Sequence, residues 1–181
     1  GPSGRDPRLV ELVIRESRSI VRMDVERGII ITETAHGFVC ANAGIDTSNV
    51  SGDGLVCLLP EDPDRSARTI RSRLQADLPD SPPAVVISDT FGRAWRDGHV
   101  NFAIGVAGMD PIVDYRGTAD AHGYVLKVTA IAVADELASA AELVMAKADK
   151  VPVAIVRGYR YPPGPGGAAG LLRDRSTDLF R

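Results

Sequence analysis

The chain has 181 residues, enough for one domain with a real hydrophobic core, or one domain and a small lobe. Hydrophobic residues make up 44% and charged residues 25%, an ordinary balance for a globular chain, and the net charge of -3 excludes a general electrostatic affinity for nucleic acid. An anionic substrate would have to be met by a local basic patch.

Gly1-Pro2 looks like a protease-cleavage scar, so residues 1–5 are expected to be tag or disordered. Asp6-Pro7 then predicts a helix start, a capping side chain followed by proline at the first helical position. Leu9, Leu12, Val13, Ile20 and Val21 extend it at roughly helical spacing. Gly28 to Thr34 and Phe38 to Ala41 read as a strand pair joined by the turn AHG. Asn42 to Gly54 is loop-like, and Leu55 to Leu59 is a short apolar strand. Cys40 and Cys57 lie in apolar runs and are expected to be buried, reduced thiols, too few for a disulfide framework or a zinc ligand set.

Asp62-Pro63 repeats the capping device ahead of Ala67, Ile70 and Leu74, a helix that ends before Pro79. Ala84 to Ile87 and Asn101 to Gly108 read as strands. The run HGYVLKVTAIAV starts as a strand, and a helix follows from about Thr129 or Ala132 to about Ala148. Val151 to Val156 is the last clear strand. The Pro/Gly-rich stretch 161–170 reads as a surface loop or disordered linker, and the tail 171–181 is expected to dock by Leu171, Leu172 and Phe180. The core domain would thus be residues 6–160, with the loop and tail belonging to the same domain. Irregular alternation with at least one hairpin predicts a mixed α+β fold rather than a regular doubly wound sheet. No apolar stretch reaches the ~18 residues of a membrane span, and the polar start does not read as a signal peptide. A cytoplasmic protein without a membrane partner is the expectation.

Neither a P-loop signature nor a G-x-G-x-x-G after a strand is present. His36, His99 and His122 sit beside glycine or in polar turns and are expected to be exposed, which argues against a serine hydrolase. Two clusters carry chemistry instead. In NAGIDTSN, Asp46 offers a hard carboxylate among the neutral oxygens and amides of Asn42, Thr47, Ser48 and Asn49. Such a set suits magnesium or manganese, and it equally suits a turn whose Asp and Asn bond nearby backbone. In VVISDTFGRAWR, Asp89 and Thr90 stand where the apolar strand runs out, a position where sheets commonly bind ligands. Arg93 and Arg96 follow, suited to bidentate recognition of phosphate or carboxylate, with Trp95 available to pack beneath them. The bland alternative is a capping aspartate with solvated arginines. Two aspartates holding a cation beside arginines holding phosphates would fit phosphoryl transfer.

Weaker groups are Asp114, Arg116 and Asp120, in either a substrate-facing or a merely solvated loop, and Arg157-Gly158, either a phosphate contact or a turn. Asp135, Glu136 and Glu142 lie on the small-residue helix and read as mostly solvated or capping.

NAGIDTSNV, LLPEDPDRSA, ISDTFGRAWRDGHVNFAIGVAG, DYRGTAD, VTAIAVADELASAAELVMAKA and PVAIVRG occur in this order in the coenzyme F-420:L-glutamate ligase family, which the chain resembles from about Asp6 to Arg181. The resemblance implies GTP-dependent, γ-linked addition of L-glutamate to the deazaflavin coenzyme precursor through an acyl phosphate. It implies Mg2+ or Mn2+, and an intertwined homodimer built on a largely antiparallel sheet with packed helices. Carried over by motif, Asp46, Asp89 and Thr90 match metal-site positions and Asn49 a GTP contact. Arg93 and Arg96 are added on physical grounds as catalytic contacts to phosphate or substrate. Family members usually begin with a further segment that contributes to the GTP site, and some carry a nitroreductase-like domain after the ligase part. A shortened chain is therefore expected here, and the alternative to an active ligase is a truncated, non-catalytic module that dimerises or binds the coenzyme.

Overall fold

The computed structural model describes residues 5–48, 50, 52 and 54–179. The chain divides into two compact units. One holds the residues up to Glu61, the stretch Phe91–His99 and the tail from Leu172; the other holds Asp62–Thr90 and Val100–Leu171.

In the first unit, helix α1 (Pro7–Arg15) begins as predicted, with the Asp6 carboxylate accepting the Arg8 N–H at 2.9 Å. It does not reach Ile20. Glu16 caps it, and the Ser17 hydroxyl donates to the Val13 carbonyl at 2.5 Å, one of the acceptors that a helix end leaves open. From there the chain is strand β1 (Ser17–Asp24), where the β-branched Ile20 and Val21 are at home. Strand β2 (Ile29–Thr34) pairs antiparallel with β1 on one side and with β3 (Val39–Ala41) on the other. Val13, Ile30, Ala43 and Ile45 form the core of this unit. The expected strand Leu55–Leu59 is reduced to one bridge between Asp46 and Cys57. Cys40 is buried as expected, but Cys57 is exposed.

His36 is no loose turn residue. Its Nε2 lies 2.9 Å from the Pro60 carbonyl, and its ring stacks on Phe38. Glu33, only 3% exposed, pairs with Arg18 at 3.5 Å and with Arg175 of the tail. The tail therefore docks by a charge that the apolar reading missed, together with Leu172, whose Cδ1 comes so close to Gly37 that a Cβ there would lie 3.0 Å away. Leu171 is half-buried, and Phe180 lies outside the described residues. Arg5, assigned above to a tag, donates to Asn42 Oδ1 at 3.0 Å; Gly1–Gly4 lie outside the described residues.

In the second unit, helix α2 (Pro63–Asp77) starts on Asp62, whose carboxylate accepts the Arg65 N–H at 2.7 Å. Strands β4 (Val85–Arg93) and β5 (Arg96–Ala107) pair across the two residues Ala94 and Trp95, a connection short enough to make the pair antiparallel. Strand β4 thus continues past Ile87 through Ser88, Asp89 and Thr90, because β5 runs beside it and supplies partners for those polar groups. Gly105 is where α2 meets β5: a Cβ there would come within 2.4 Å of the Pro63 carbonyl oxygen.

Strand β6 (Val113–Asp114) pairs with β7 (Ala130–Ile131). Between them the chain folds back on itself, with reciprocal 2.8 Å bonds linking Gly117 to Leu126 and Leu126 to Thr118, so the expected strand near Tyr124 is the return leg of an exposed arm. Helix α3 (Val133–Met145) ends three residues earlier than expected, at Ala146, whose φ is +48°. The run Val151–Val156 is assigned to no strand: Val153 is 72% and Ile155 75% exposed, and among the described residues no strand pairs with them.

The 161–170 stretch is not a free linker. Gly166 bridges to Ala107, Gly167 donates to the Val106 carbonyl at 3.0 Å, and the Tyr161 hydroxyl accepts the Ala84 N–H at 3.1 Å. The predicted mixed α+β class is correct in kind, but the described residues arrange their strands in three small antiparallel sheets rather than one. Among them no helix is long and apolar enough to cross a membrane.

Candidate active site

Asp46 is held by unusual backbone. Asn42, Ala43 and Gly44 take consecutive left-handed φ values of 54°, 55° and 70°. Asparagine and glycine tolerate this; for alanine it costs roughly 1–2 kcal/mol. Ala43 is kept there by its burial in the α1/β2 core, by Arg5 on Asn42, and by Gly44, where a Cβ would come within 2.8 Å of Leu59. Strain of this kind gathers where a side chain must be aimed. The Asp46 backbone is then pinned on both groups, its N–H to Cys57 O at 3.0 Å and its C=O by Cys57 N–H at 2.8 Å. Its Oδ1 accepts from Ser48 N at 2.7 Å and Ser48 Oγ at 2.6 Å, so this carboxylate also serves its own turn. Asn49 lies outside the described residues.

Asp89 and Thr90 sit half-buried within β4. Asp89 Oδ1 accepts the Thr90 N–H at 2.8 Å. The Thr90 hydroxyl donates to Asn101 Oδ1 at 2.8 Å. Asn101, 4% exposed on β5, in turn donates from Nδ2 to Ser88 Oγ at 3.3 Å and to Glu142 Oε2 at 3.0 Å. Its backbone carbonyl accepts the Ser139 hydroxyl at 2.8 Å. This stretch of β4 is therefore part of a connected polar network rather than a strand end with a lone capping aspartate.

Arg93 donates from Nη1 to the Gly98 carbonyl at 3.3 Å, bracing the hairpin, while Arg96 is exposed. Trp95 is 86% exposed at the turn with φ +65°, not buried beneath the arginines as expected. Asp46, Arg93 and Arg96 belong to the first unit, Asp89 and Thr90 to the second.

Of the weaker groups, the loop residues take their bland readings, whereas Asp135 and Glu142 on α3 are neither solvated nor capping but bind β5. Asp114 is locked to Arg116, whose side-chain hydrogen bonds and charge pull the Asp114 carboxyl down to about 2. Asp120 accepts the His122 and Tyr124 N–H groups as a turn residue. Asp135 accepts the Ala103 N–H at 2.9 Å, and burial pushes its carboxyl up. Arg157 is exposed and Gly158 has φ +87°.

Among the described residues no three His, Cys, Asp or Glu side chains gather into a metal cage. At Asp89 and Thr90 the donors are oxygens, a carboxylate and a hydroxyl whose proton is already committed to Asn101, and Asp46 offers a carboxylate in the other unit. Oxygen donors are what a hard, largely hydrated divalent ion takes.

A family model described as F420-0:Gamma-glutamyl ligase matches residues 2–158. The chain belongs to this family of ligases. It is 52% identical to the coenzyme F420:L-glutamate ligase of Methanothermobacter thermautotrophicus, in an alignment spanning 99% of this chain and 71% of that protein. The ligases of the same name from Methanopyrus kandleri and Methanocaldococcus jannaschii are 48% and 44% identical, spanning 99% of this chain and 71% and 70% of theirs. In this ligase the residues that sequence reasoning passed over are Asn101 and Glu142. Asn101 was legible as a lone amide opening the apolar run NFAIGVAG; Glu142 carried no signal beyond its place on α3.

Proposed function

We propose that this ligase joins L-glutamate, in γ-linkage, to the deazaflavin precursor of coenzyme F420, using GTP and Mg2+ or Mn2+. The support is the family match over most of the chain, together with the Asp89–Thr90 pair set into the buried Asn101 network. The coenzyme carboxylate takes the γ-phosphoryl group of GTP, giving an acyl phosphate and GDP. The glutamate amine then attacks the acyl carbon, phosphate leaves, and the nitrogen loses a proton as the amide forms.

Both steps build charge on phosphate oxygens. Arg93 and Arg96 are the cationic groups assigned to orient phosphate or substrate carboxylate, and Asn49 is assigned to the nucleotide. Asp46, Asp89 and Thr90 would hold the divalent ion, which when bound neutralises phosphate charge. A homodimer completes the reading: the apolar Val153 and Ile155, and Leu143 and Val144 at the end of α3, are exposed on the single chain and suit burial against a second copy.

Mass spectrometry of the precursor after incubation with protein, glutamate, GTP and Mn2+ tests the proposal. The mass should rise by glutamyl residues, with one GDP and one phosphate per residue added, and should not rise when GTP or the cation is omitted. Tight coenzyme binding without any mass change would point to the non-catalytic module instead.

A further inference from the structure

The Asn101 network has a direction, and the direction has a chemical consequence. A carboxylate accepts hydrogen bonds, so the Asn101 atom facing Glu142 Oε2 at 3.0 Å must be the amide nitrogen. That fixes the amide: its oxygen faces Thr90, 2.8 Å from Oγ1. An amide oxygen has no proton to give, so the Thr90 hydroxyl must be the donor, and its proton is directed at Asn101. What remains on Thr90 Oγ1 are lone pairs. A hydroxyl in this state can serve a cation but has no proton left for a phosphate oxygen.

Glu142 and Ser139, three residues apart on α3, grip the same asparagine at its amide and at its backbone carbonyl. Asn101 is almost wholly buried, so the amide has no water to turn toward. We infer that Glu142 and Asn101 are positioning residues for the proposed ligase site: Glu142 sets the Asn101 amide, and Asn101 sets the Thr90 hydroxyl as a lone-pair donor to a divalent cation. The inference rests on the assignment of Thr90 to the metal site.

Binding of Mn2+ to the full chain, followed by the loss of the free-ion EPR signal with a non-hydrolysable GTP analogue present, separates the two. Thr90→Val removes the donor oxygen. Glu142→Leu frees the Asn101 amide to turn, so that Thr90 must accept from it and point its proton outward. Glu142→Leu should weaken Mn2+ binding on the order of 10–100-fold, the usual effect of losing an outer-shell partner, and Thr90→Val should weaken it at least as much. The double variant should be no weaker than the weaker-binding single one. Glu142→Gln, whose amide oxygen can still accept from Asn101, should bind Mn2+ within about threefold of the wild type, an outcome that a merely steric role for Glu142 does not require. Thermal melts identify any variant that fails to fold, and Glu142→Gln, the mildest change, then carries the comparison against Asn101→Leu, which leaves the Thr90 proton without its acceptor and should bind weakly. If Thr90→Val weakens binding while Glu142→Leu and Asn101→Leu do not, the positioning inference fails and the site stands. If Thr90→Val and Asp89→Ala both leave binding unchanged, the site itself is wrong and the inference falls with it.

Discussion

The carboxylate of Asp64 ties Val106 to Ala168: its Oδ1 accepts the N–H of Val106 at 2.8 Å and that of Ala168 at 3.0 Å. An aspartate in the first turn of α2 thus fastens β5 to a stretch more than a hundred residues away in sequence. Hydrogen bonds to a charged acceptor contribute about 1.5–3 kcal/mol each, and removing the acceptor strands two N–H groups. Asp64→Ala is expected to lower unfolding free energy by on the order of 3 kcal/mol, read from urea denaturation, and to open 161–170 to limited proteolysis. Unchanged proteolysis would mean that Gly166 and Tyr161 hold the stretch without it.

Gly166 has φ +86°, and a Cβ there would lie 2.2 Å from the Val106 carbonyl oxygen. Gly166→Ala combines left-handed strain with a backbone clash, so a loss of roughly 2–3 kcal/mol is expected in the same denaturation assay. A variant as stable as the wild type would show that the bridge to Ala107 yields easily.

Trp95 poses the opposite case, a bulky residue in a left-handed conformation on an exposed turn. Trp95→Gly should raise stability by about 1 kcal/mol by removing that strain. A fall in melting temperature would show that the indole contributes more than its backbone costs.

Asp135 gives a pH signature. Burial raises its carboxyl above the ordinary 3.8, with the Ala103 N–H partly opposing. The folded state therefore holds this proton more tightly than the unfolded state. Its contribution to stability is fully present below 3.8 and is lost as pH rises through the raised folded value. Asp135→Asn keeps an oxygen to accept from Ala103 and has no charge to bury. Its melting temperature should exceed the wild type's at neutral pH and converge with it in acid. A constant difference across that range would assign the effect to packing.

Helix starts were plain in the sequence, because Asp6-Pro7 and Asp62-Pro63 combine a capping acceptor with a fixed φ, and both work as read. Helix ends were not, since what stops α1 is the Ser17 hydroxyl reaching back to Val13, a local bond that periodicity does not register. The polar run Ser88–Thr90 looked like a strand end because its partner, Asn101, stands on the next strand and is itself held by Glu142 of α3. The run Val151–Val156 looked like a strand by composition, but a ladder requires a neighbour, and the described residues place none beside it. Of the proposed site, the aspartates and Thr90 could be picked out by chemistry; the buried amide that accepts the Thr90 hydroxyl could not.

The central claim is that Asp46 and Asp89 serve one glutamate-adding reaction. The direct measurement is the yield of glutamylated coenzyme from GTP, glutamate and Mn2+ with the wild type, each alanine variant and the double variant, alongside their melting temperatures. The account predicts product from the wild type, at least a ~100-fold loss in each variant, and melts that remain cooperative. Product from the folded double variant at the wild-type rate would contradict it.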